Sequence, residues 1–172
     1  DTFCSEYTRQ ELRCPEQINA VNMALNNGIS IITGGAGVGK STVIKSIVRE
    51  FDLRQIKYII AAYTGKAVAR IKQILGNGIK PMTLSMLLNR GPRTTTEIDA
   101  LIIDEISMVP NELLARVMKK IYDFNTVENW VVGCAPRNKP LQVVFVGDAS
   151  QLPPIDAGNL FNELLQTSIP VT

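Results

Sequence analysis

The chain has 172 residues, 45% hydrophobic and 20% charged, with 18 Lys and Arg against 16 Asp and Glu for a net charge of +2. That length fits one globular domain with little room for another, and the near-neutral balance does not by itself mark a nucleic-acid binder. No histidine occurs, which excludes chemistry that needs a neutral-pH imidazole, and no apolar run approaches the roughly 18 residues of a membrane span.

Residues 1–14 are polar and read as an irregular lead-in to a domain covering 15–172. Asp1–Glu6 has neither the basic flank nor the apolar stretch of a signal peptide. Cys4, Cys14 and Cys134 are odd in number and far apart, so no zinc spacing is formed. Reduced thiols in an intracellular, soluble setting are expected, whether cytoplasm, nucleus or viral replication site. Pro15-Glu16-Gln17 opens a helical pattern with Ile18, Val21, Ala24 and Leu25 on one face, stopped by Asn26-Asn27-Gly28. Taken alone, Gln17 is a first-turn helix residue. Ile29–Ile32 is a short apolar strand that breaks into a glycine-rich turn. Beyond it Val43, Ile44, Ile47, Val48 and Phe51 repeat with helical spacing.

Lys57–Ala62 is the next strand, and Tyr63-Thr64-Gly65-Lys66 leads from it into a helix with Ala67, Val68, Ile71, Ile74 and Leu75. After Gly76-Asn77-Gly78, the stretch Thr83–Leu88 reads as a short helix capped at or near Thr83. Asn89–Glu97 is a polar surface connection. Asp99–Glu105 is an apolar strand ending in two carboxylates, and Pro110 opens a helix with Leu113, Leu114, Val117, Met118 and Ile121 on one face. Residues 123–140 carry no readable period. Leu141–Val146 is a fourth strand running into Gly147-Asp148, and a last helical pattern surrounds Leu160, Phe161, Leu164 and Leu165. Apolar strands alternating with helices predict an α/β fold, three layers α/β/α with a mainly parallel sheet. In such sheets ligands bind beyond the carboxyl ends of the strands.

Those strand ends carry the chemistry. Gly34 to Ser41 fits G-x-x-x-x-G-K-[ST], the loop whose backbone N–H groups and following helix N-terminus cradle a nucleotide phosphate. Gly35, Ala36, Gly37, Val38, Gly39, Lys40, Ser41 and Thr42 are the candidate nucleotide contacts. Lys40 would reach the β- and γ-phosphates and Ser41 would bind Mg²⁺. Asp104, at the end of an apolar strand, is placed to hold the same Mg²⁺, and Glu105 to orient or deprotonate the attacking water. Gln151, after Gly147-Asp148, would face the γ-phosphate. A backbone-tracking groove needs phosphate donors and a stacking aromatic, and Thr64, Lys66 and Tyr63 offer these from one loop, with Arg70, Lys72, Lys80 and Arg90 nearby. Asn138-Lys139-Pro140-Leu141 is not a guanine-reading motif, because the fourth residue is Leu and the tetrad precedes its strand.

Read in order from Pro15 to Gly158, these stretches resemble superfamily 1 helicases of the branch that includes RecD, phage Dda and the Pif helicases. Pro15-Glu16-Gln17-x-x-Ala20 resembles the Q-motif, which implies that Gln17 contacts adenine. Ala62-Tyr63-Thr64-Gly65-Lys66-Ala67 resembles motif Ia, a single-strand contact, with Tyr63 in place of the usual Pro. Leu101–Met108 closely matches motif II, and Val146–Pro154 closely matches motif III. Thr83-Leu84-Ser85 stands where the family has Thr-[Ile/Leu]-His, so the nucleic-acid contact there is altered. The resemblance implies a RecA-like P-loop NTPase lobe that uses ATP and Mg²⁺ and engages single-stranded DNA, or RNA, with movement 5′ to 3′ when joined to a second lobe.

Nothing in the 172 residues corresponds to motifs IV to VI, so the second RecA-like lobe with its arginine is missing from this chain. Such an arginine supplies a factor of ~10³–10⁵ in NTP hydrolysis, and a lobe without it is expected to be nearly inactive and to unwind nothing. Two other readings compete. A self-sufficient P-loop phosphotransferase would need an arginine-bearing lid, for which Gly76–Asp99 offers only Arg90 and Arg93. A non-catalytic nucleotide-binding interaction domain would not need Lys40, Ser41, Asp104, Glu105 and Gln151 all intact.

Overall fold

A computed structural model of the chain describes residues 4–12, 14–35, 37–76, 78–90, 98–123, 141–151, 160–167 and 169–172. Among these residues five strands, β1 (Ile29–Thr33), β2 (Tyr58–Ala62), β3 (Met82–Thr83), β4 (Ala100–Asp104) and β5 (Gln142–Gly147), form one sheet in the order β1-β5-β4-β2-β3. Every pairing is parallel. β4 is central and all five of its residues are buried, as its uninterrupted apolar run requires. The helices are α1 (Glu6–Glu11), α2 (Pro15–Asn26), α3 (Lys40–Leu53), α4 (Gly65–Leu75), α5 (Leu84–Leu88), α6 (Asn111–Asp123) and α7 (Leu160–Leu165).

Successive strand residues point to opposite faces, and the sheet divides the core accordingly. Ile32, Ile60, Ala62, Ile102, Val144 and Val146 pack with Val21, Ala24, Ile47, Phe51 and Ile71 of α2, α3 and α4. Ile31, Ile59, Leu101, Ile103, Val143 and Phe145 pack with Leu84, Leu87, Leu114, Val117, Ile121 and Phe161 from the other helices. This is the three-layer α/β/α arrangement that the sequence pattern predicts. Full burial of a Leu or Phe in such a layer stabilises by about 1.5–3 kcal/mol, so the two faces, rather than local helix propensity, hold the elements in place.

The register aligns the carboxyl ends. Thr33 lies beside Gly147, Ile103 beside Phe145, and Ala62 beside both Asp104 and Thr83. The residues that follow each strand therefore emerge along one edge of the sheet.

Three features depart from the sequence reading. The lead-in is not irregular: Glu6–Glu11 is helical, with Ser5 capping it through the Thr8 N–H at 3.3 Å. It is held by Glu50 of α3, a buried carboxylate that accepts from Ser5 N, Ser5 Oγ and Thr8 Oγ1 at 2.8, 2.5 and 2.6 Å and pairs with Arg54 at 3.1 Å. Met82–Thr83 adds a strand beside β2, and Thr83 then caps α5 by accepting from Met86 N at 3.1 Å. Residues 170–172 lie along the open edge of β1, where Ile31 N donates to Pro170 O at 2.9 Å and Thr172 N to Ile31 O at 3.0 Å. That pairing satisfies backbone groups an edge strand would leave unpaired. The polar connection expected at Asn89–Glu97, beyond Arg90, and the unreadable stretch after residue 123 lie outside the described residues.

Candidate functional site

The phosphate loop adopts its shape because two glycines take left-handed backbone angles, Gly37 at φ 82° and Gly39 at φ 92°. A Cβ at Gly39 would also collide with the Gln17 amide, so a side chain is excluded there on two counts. Gly39 is the N-cap of α3, whose first turn begins with Lys40 and Ser41. The glycine-rich loop thus ends at the positive end of this 14-residue helix, an anion site in form.

Lys40 folds back over the loop. Its ammonium donates to the carbonyls of Gly34 and, at 2.7 Å, of Gly35. On the far side it lies 3.9 Å from Asp148 Oδ2. Asp148 is buried just after β5, where its Oδ1 accepts from the Ser150 hydroxyl and N–H at 2.6 and 2.9 Å. Those two bonds, with the Lys40 charge, hold its carboxyl below the usual aspartate range.

Asp104 closes β4 and is only 2% exposed. Burial pushes its carboxyl above the usual value, and the adjacent Glu105 carboxylate adds to the shift. The Glu105 N–H, donating to Asp104 Oδ1 at 2.9 Å, and the charges of Arg70 and Lys40 oppose it. Glu105 itself has left the strand, in the left-handed region at φ 56°. A non-glycine residue held there stores of order 1–3 kcal/mol of backbone strain, and such residues concentrate at functional sites.

These groups line one cavity of about 310 Å³ with Gly35, Gly37, Gly39, Ser41, Arg70, Ser107, Gly147 and Gln151. Lys40, Ser41, Asp104, Glu105 and Gln151, read separately from the sequence, are thus brought to one place. An adjoining cavity of about 330 Å³ is lined by Gln17, Cys14, Thr33, Val38, Val43 and Thr172. Gln17 donates from Nε2 to Val38 O at 3.2 Å, so its amide rests on the phosphate loop. Thr42 is exposed and lines neither cavity. Ala36 and Leu152–Pro154, the end of the motif III match, lie outside the described residues.

Three residues of the cavity carry no role of their own in the sequence reading. Asp148 stands there only within the Gly147–Gln151 stretch expected to face the γ-phosphate region. Ser107, 5% exposed, donates from Oγ to Gln151 Oε1 at 3.2 Å and so ties the motif II segment to the motif III glutamine. Arg70, which sequence spacing grouped with the nucleic-acid loop, instead points into the cavity. Its guanidinium lies 3.4 Å from Ser41 Oγ, 4.0 Å from Asp104 Oδ2 and 3.7 Å from Glu105 Oε1.

The loop residues at the far side of the same edge form a separate group. Tyr63 and Lys66 are exposed, while Thr64 caps α4 by accepting from Ala67 N at 3.1 Å. Thr64 and Thr83 each spend an acceptor site on a helix cap and keep a hydroxyl proton to donate.

The oxygen-only donor set of Ser41 and Asp104 suits Mg²⁺, and the Arg70 guanidinium already supplies positive charge between them. Among the described residues no group of three or more His, Cys, Asp or Glu could hold a metal ion. Among the same residues no helix is long and apolar enough to cross a membrane.

Comparison with known proteins agrees with this geometry. The model of an AAA domain family matches residues 17–157. The chain is 28% identical over 150 residues to the ATP-dependent RecD2 DNA helicase of Deinococcus radiodurans, covering 83% of this chain and 18% of that protein. It is 29% identical over 152 residues to the ATP-dependent DNA helicase Pif1 of Bdellovibrio bacteriovorus, covering 82% of this chain and 33% of that protein. Among solved structures, the Pif1 helicase of Candida albicans superposes with a TM-score of 0.60 at 27% identity, over 84% of this chain and 34% of that one. The chain thus spans a third or less of the length of these curated relatives. It belongs to this AAA domain family, as a first RecA-like lobe of the RecD/Pif1-like branch of superfamily 1 helicases.

Proposed function

We propose that residues 15–172 are the ATP-binding motor lobe of a 5′ to 3′ DNA helicase, which translocates on single-stranded DNA when joined to a second lobe. The observation that carries this reading is the convergence of Lys40, Ser41, Asp104, Glu105 and Gln151 on one cavity at the carboxyl edge of a parallel sheet. The loop N–H groups from Gly35 to Thr42 would receive the phosphates, and Lys40 would leave the loop carbonyls for the β- and γ-phosphate oxygens. Ser41 and Asp104 would hold Mg²⁺, which when bound neutralises charge on the phosphates. Glu105, turned out of β4 by its backbone angle, would orient the attacking water and take its proton. Gln151, held by Ser107, would report on the γ-phosphate. Gln17 would meet adenine from its seat on the loop, beside the second cavity.

Tyr63, Thr64, Lys66 and Thr83 would contact the strand along the same edge, Tyr63 by stacking and the others through phosphates. Without an arginine from a second lobe, hydrolysis by the lobe alone would be slower by ~10³–10⁵. That activity implies work inside the cell. The test is a longer protein containing both lobes: ATPase turnover should rise on adding single-stranded DNA and vanish in Lys40→Ala. Turnover that survives this substitution refutes the assignment.

A further inference from the structure

We propose that Arg70 is the resident counter-cation of the metal site, exchanging with Mg²⁺ and so setting the Mg²⁺ concentration at which nucleotide binds. The inference rests on the ATP-site reading above and adds a role for a residue that lies outside the motif residues assigned there. The geometry points to it in three ways. One guanidinium reaches three oxygens on separate elements: Ser41 Oγ in the first turn of α3, Asp104 Oδ2 at the end of β4, and Glu105 Oε1 just beyond. Ser41 and Asp104 are the two residues that would hold Mg²⁺, so the guanidinium and the ion compete for the same oxygens.

Second, among the described residues two cations line the cavity, and they divide the labour. Lys40 is turned to the loop carbonyls and Asp148, leaving Arg70 as the cation closest to Glu105 and to the Ser41 hydroxyl. The third is ease of displacement. The ion-pair contacts are long, 3.7 and 4.0 Å, and the side chain is 48% exposed, so the pairing is loose and the arm has solvent to move into. A guanidinium stays protonated, so it cannot vacate the site by losing a proton and must swing away. At these distances the half-exposed guanidinium holds its partners loosely, and a divalent ion with phosphate oxygens behind it outcompetes it for the buried Asp104.

The experiment titrates Mg²⁺ against the 172-residue chain and N-methylanthraniloyl-ADP at fixed concentration, reading fluorescence anisotropy. The chain is compared with Arg70→Gln and Arg70→Lys, with circular dichroism confirming that all three are folded. Arg70→Gln should lower the half-saturating Mg²⁺ roughly three- to fivefold, as loss of one loose, half-exposed cation would give. Arg70→Lys, which keeps the charge but not the planar fork, should fall between. Nucleotide binding with an unmoved or raised Mg²⁺ midpoint in Arg70→Gln overturns the role of Arg70 alone. Absence of binding by the unsubstituted chain at any Mg²⁺ concentration overturns the ATP site and the role together.

Discussion

Glu50 offers a stringent test of how the first helix is attached. Its side chain is 1% exposed and accepts from Ser5 N, Ser5 Oγ and Thr8 Oγ1, with Arg54 at 3.1 Å completing the set. Thr8 is itself fully buried, so Glu50→Ala leaves its hydroxyl and the Ser5 N–H without an acceptor, while Ser5 Oγ can still donate to Thr8 Oγ1 at 3.0 Å. Each stranded buried donor costs about 1–3 kcal/mol, and breaking a buried ionic cluster by removing one member costs about 3–5 kcal/mol. Release of α1 lets those groups reach water and caps the loss, so about 3 kcal/mol is expected for Glu50→Ala. For a chain of this size that lowers Tm by roughly 6–12 °C. Glu50→Gln keeps the shape but not the charge, and about 1–2 kcal/mol is expected.

Burial alone would push the Glu50 carboxyl up; the Ser5 and Thr8 bonds and the Arg54 charge more than offset it and hold it below the usual range. A depressed carboxyl stabilises the fold fully above the ordinary glutamate value of about 4.3. That contribution is lost as pH falls from there through the folded value. Urea unfolding of the wild type and Glu50→Gln should therefore show a constant gap from pH 7 to 5 that narrows below about pH 4. A Glu50→Ala protein within about 0.5 kcal/mol of wild type at pH 7 would refute the clamp.

Asp104→Asn removes a charge that burial disfavours while Oδ1 can still accept from Glu105 N, so the fold should gain about 0.5–2 kcal/mol in thermal melts while Mg²⁺-dependent nucleotide binding is lost. The sign follows from the raised carboxyl, whose penalty is present at neutral pH and relieved as pH falls through its folded value. Gln55 sits at φ 54° in a C-terminal cap of α3, with Gln55 N donating to Asp52 O and Ile56 N to Phe51 O. Gln55→Gly should thus stabilise by about 0.5–1 kcal/mol in urea titrations. Thr64→Ala should cost about 1 kcal/mol through the lost cap, and Thr64→Ser should restore it, separating helix capping from any effect on single-strand affinity.

The four longer strands were legible because each is an apolar run of helix-incompatible length ending in turn residues. Their carboxyl ends predicted the site because a parallel sheet aligns them. What escaped the sequence is what depends on distant partners. α1 has no apolar stripe to read; its place depends on a carboxylate 42–45 residues away in the chain. β3 is two residues long, too short for a period, and the pairing of Pro170–Thr172 with β1 carries no local signal. Arg70 lies on the same helix as the Thr64 loop, and proximity in sequence suggested a shared task. The direction in which α4 leaves β2 decides otherwise, turning Arg70 toward Ser41 and Asp104. Ser107 reads as one small residue in a motif until the sheet places it against Gln151.

The proposed function requires this lobe to bind Mg-ATP through the loop that begins at Gly34. Calorimetric titration of ATP with Mg²⁺ into the folded 172-residue chain tests it most directly. Saturable one-site binding that disappears in Lys40→Ala is the expected result. Absence of binding, or equal affinity in the folded Lys40→Ala protein, would contradict it.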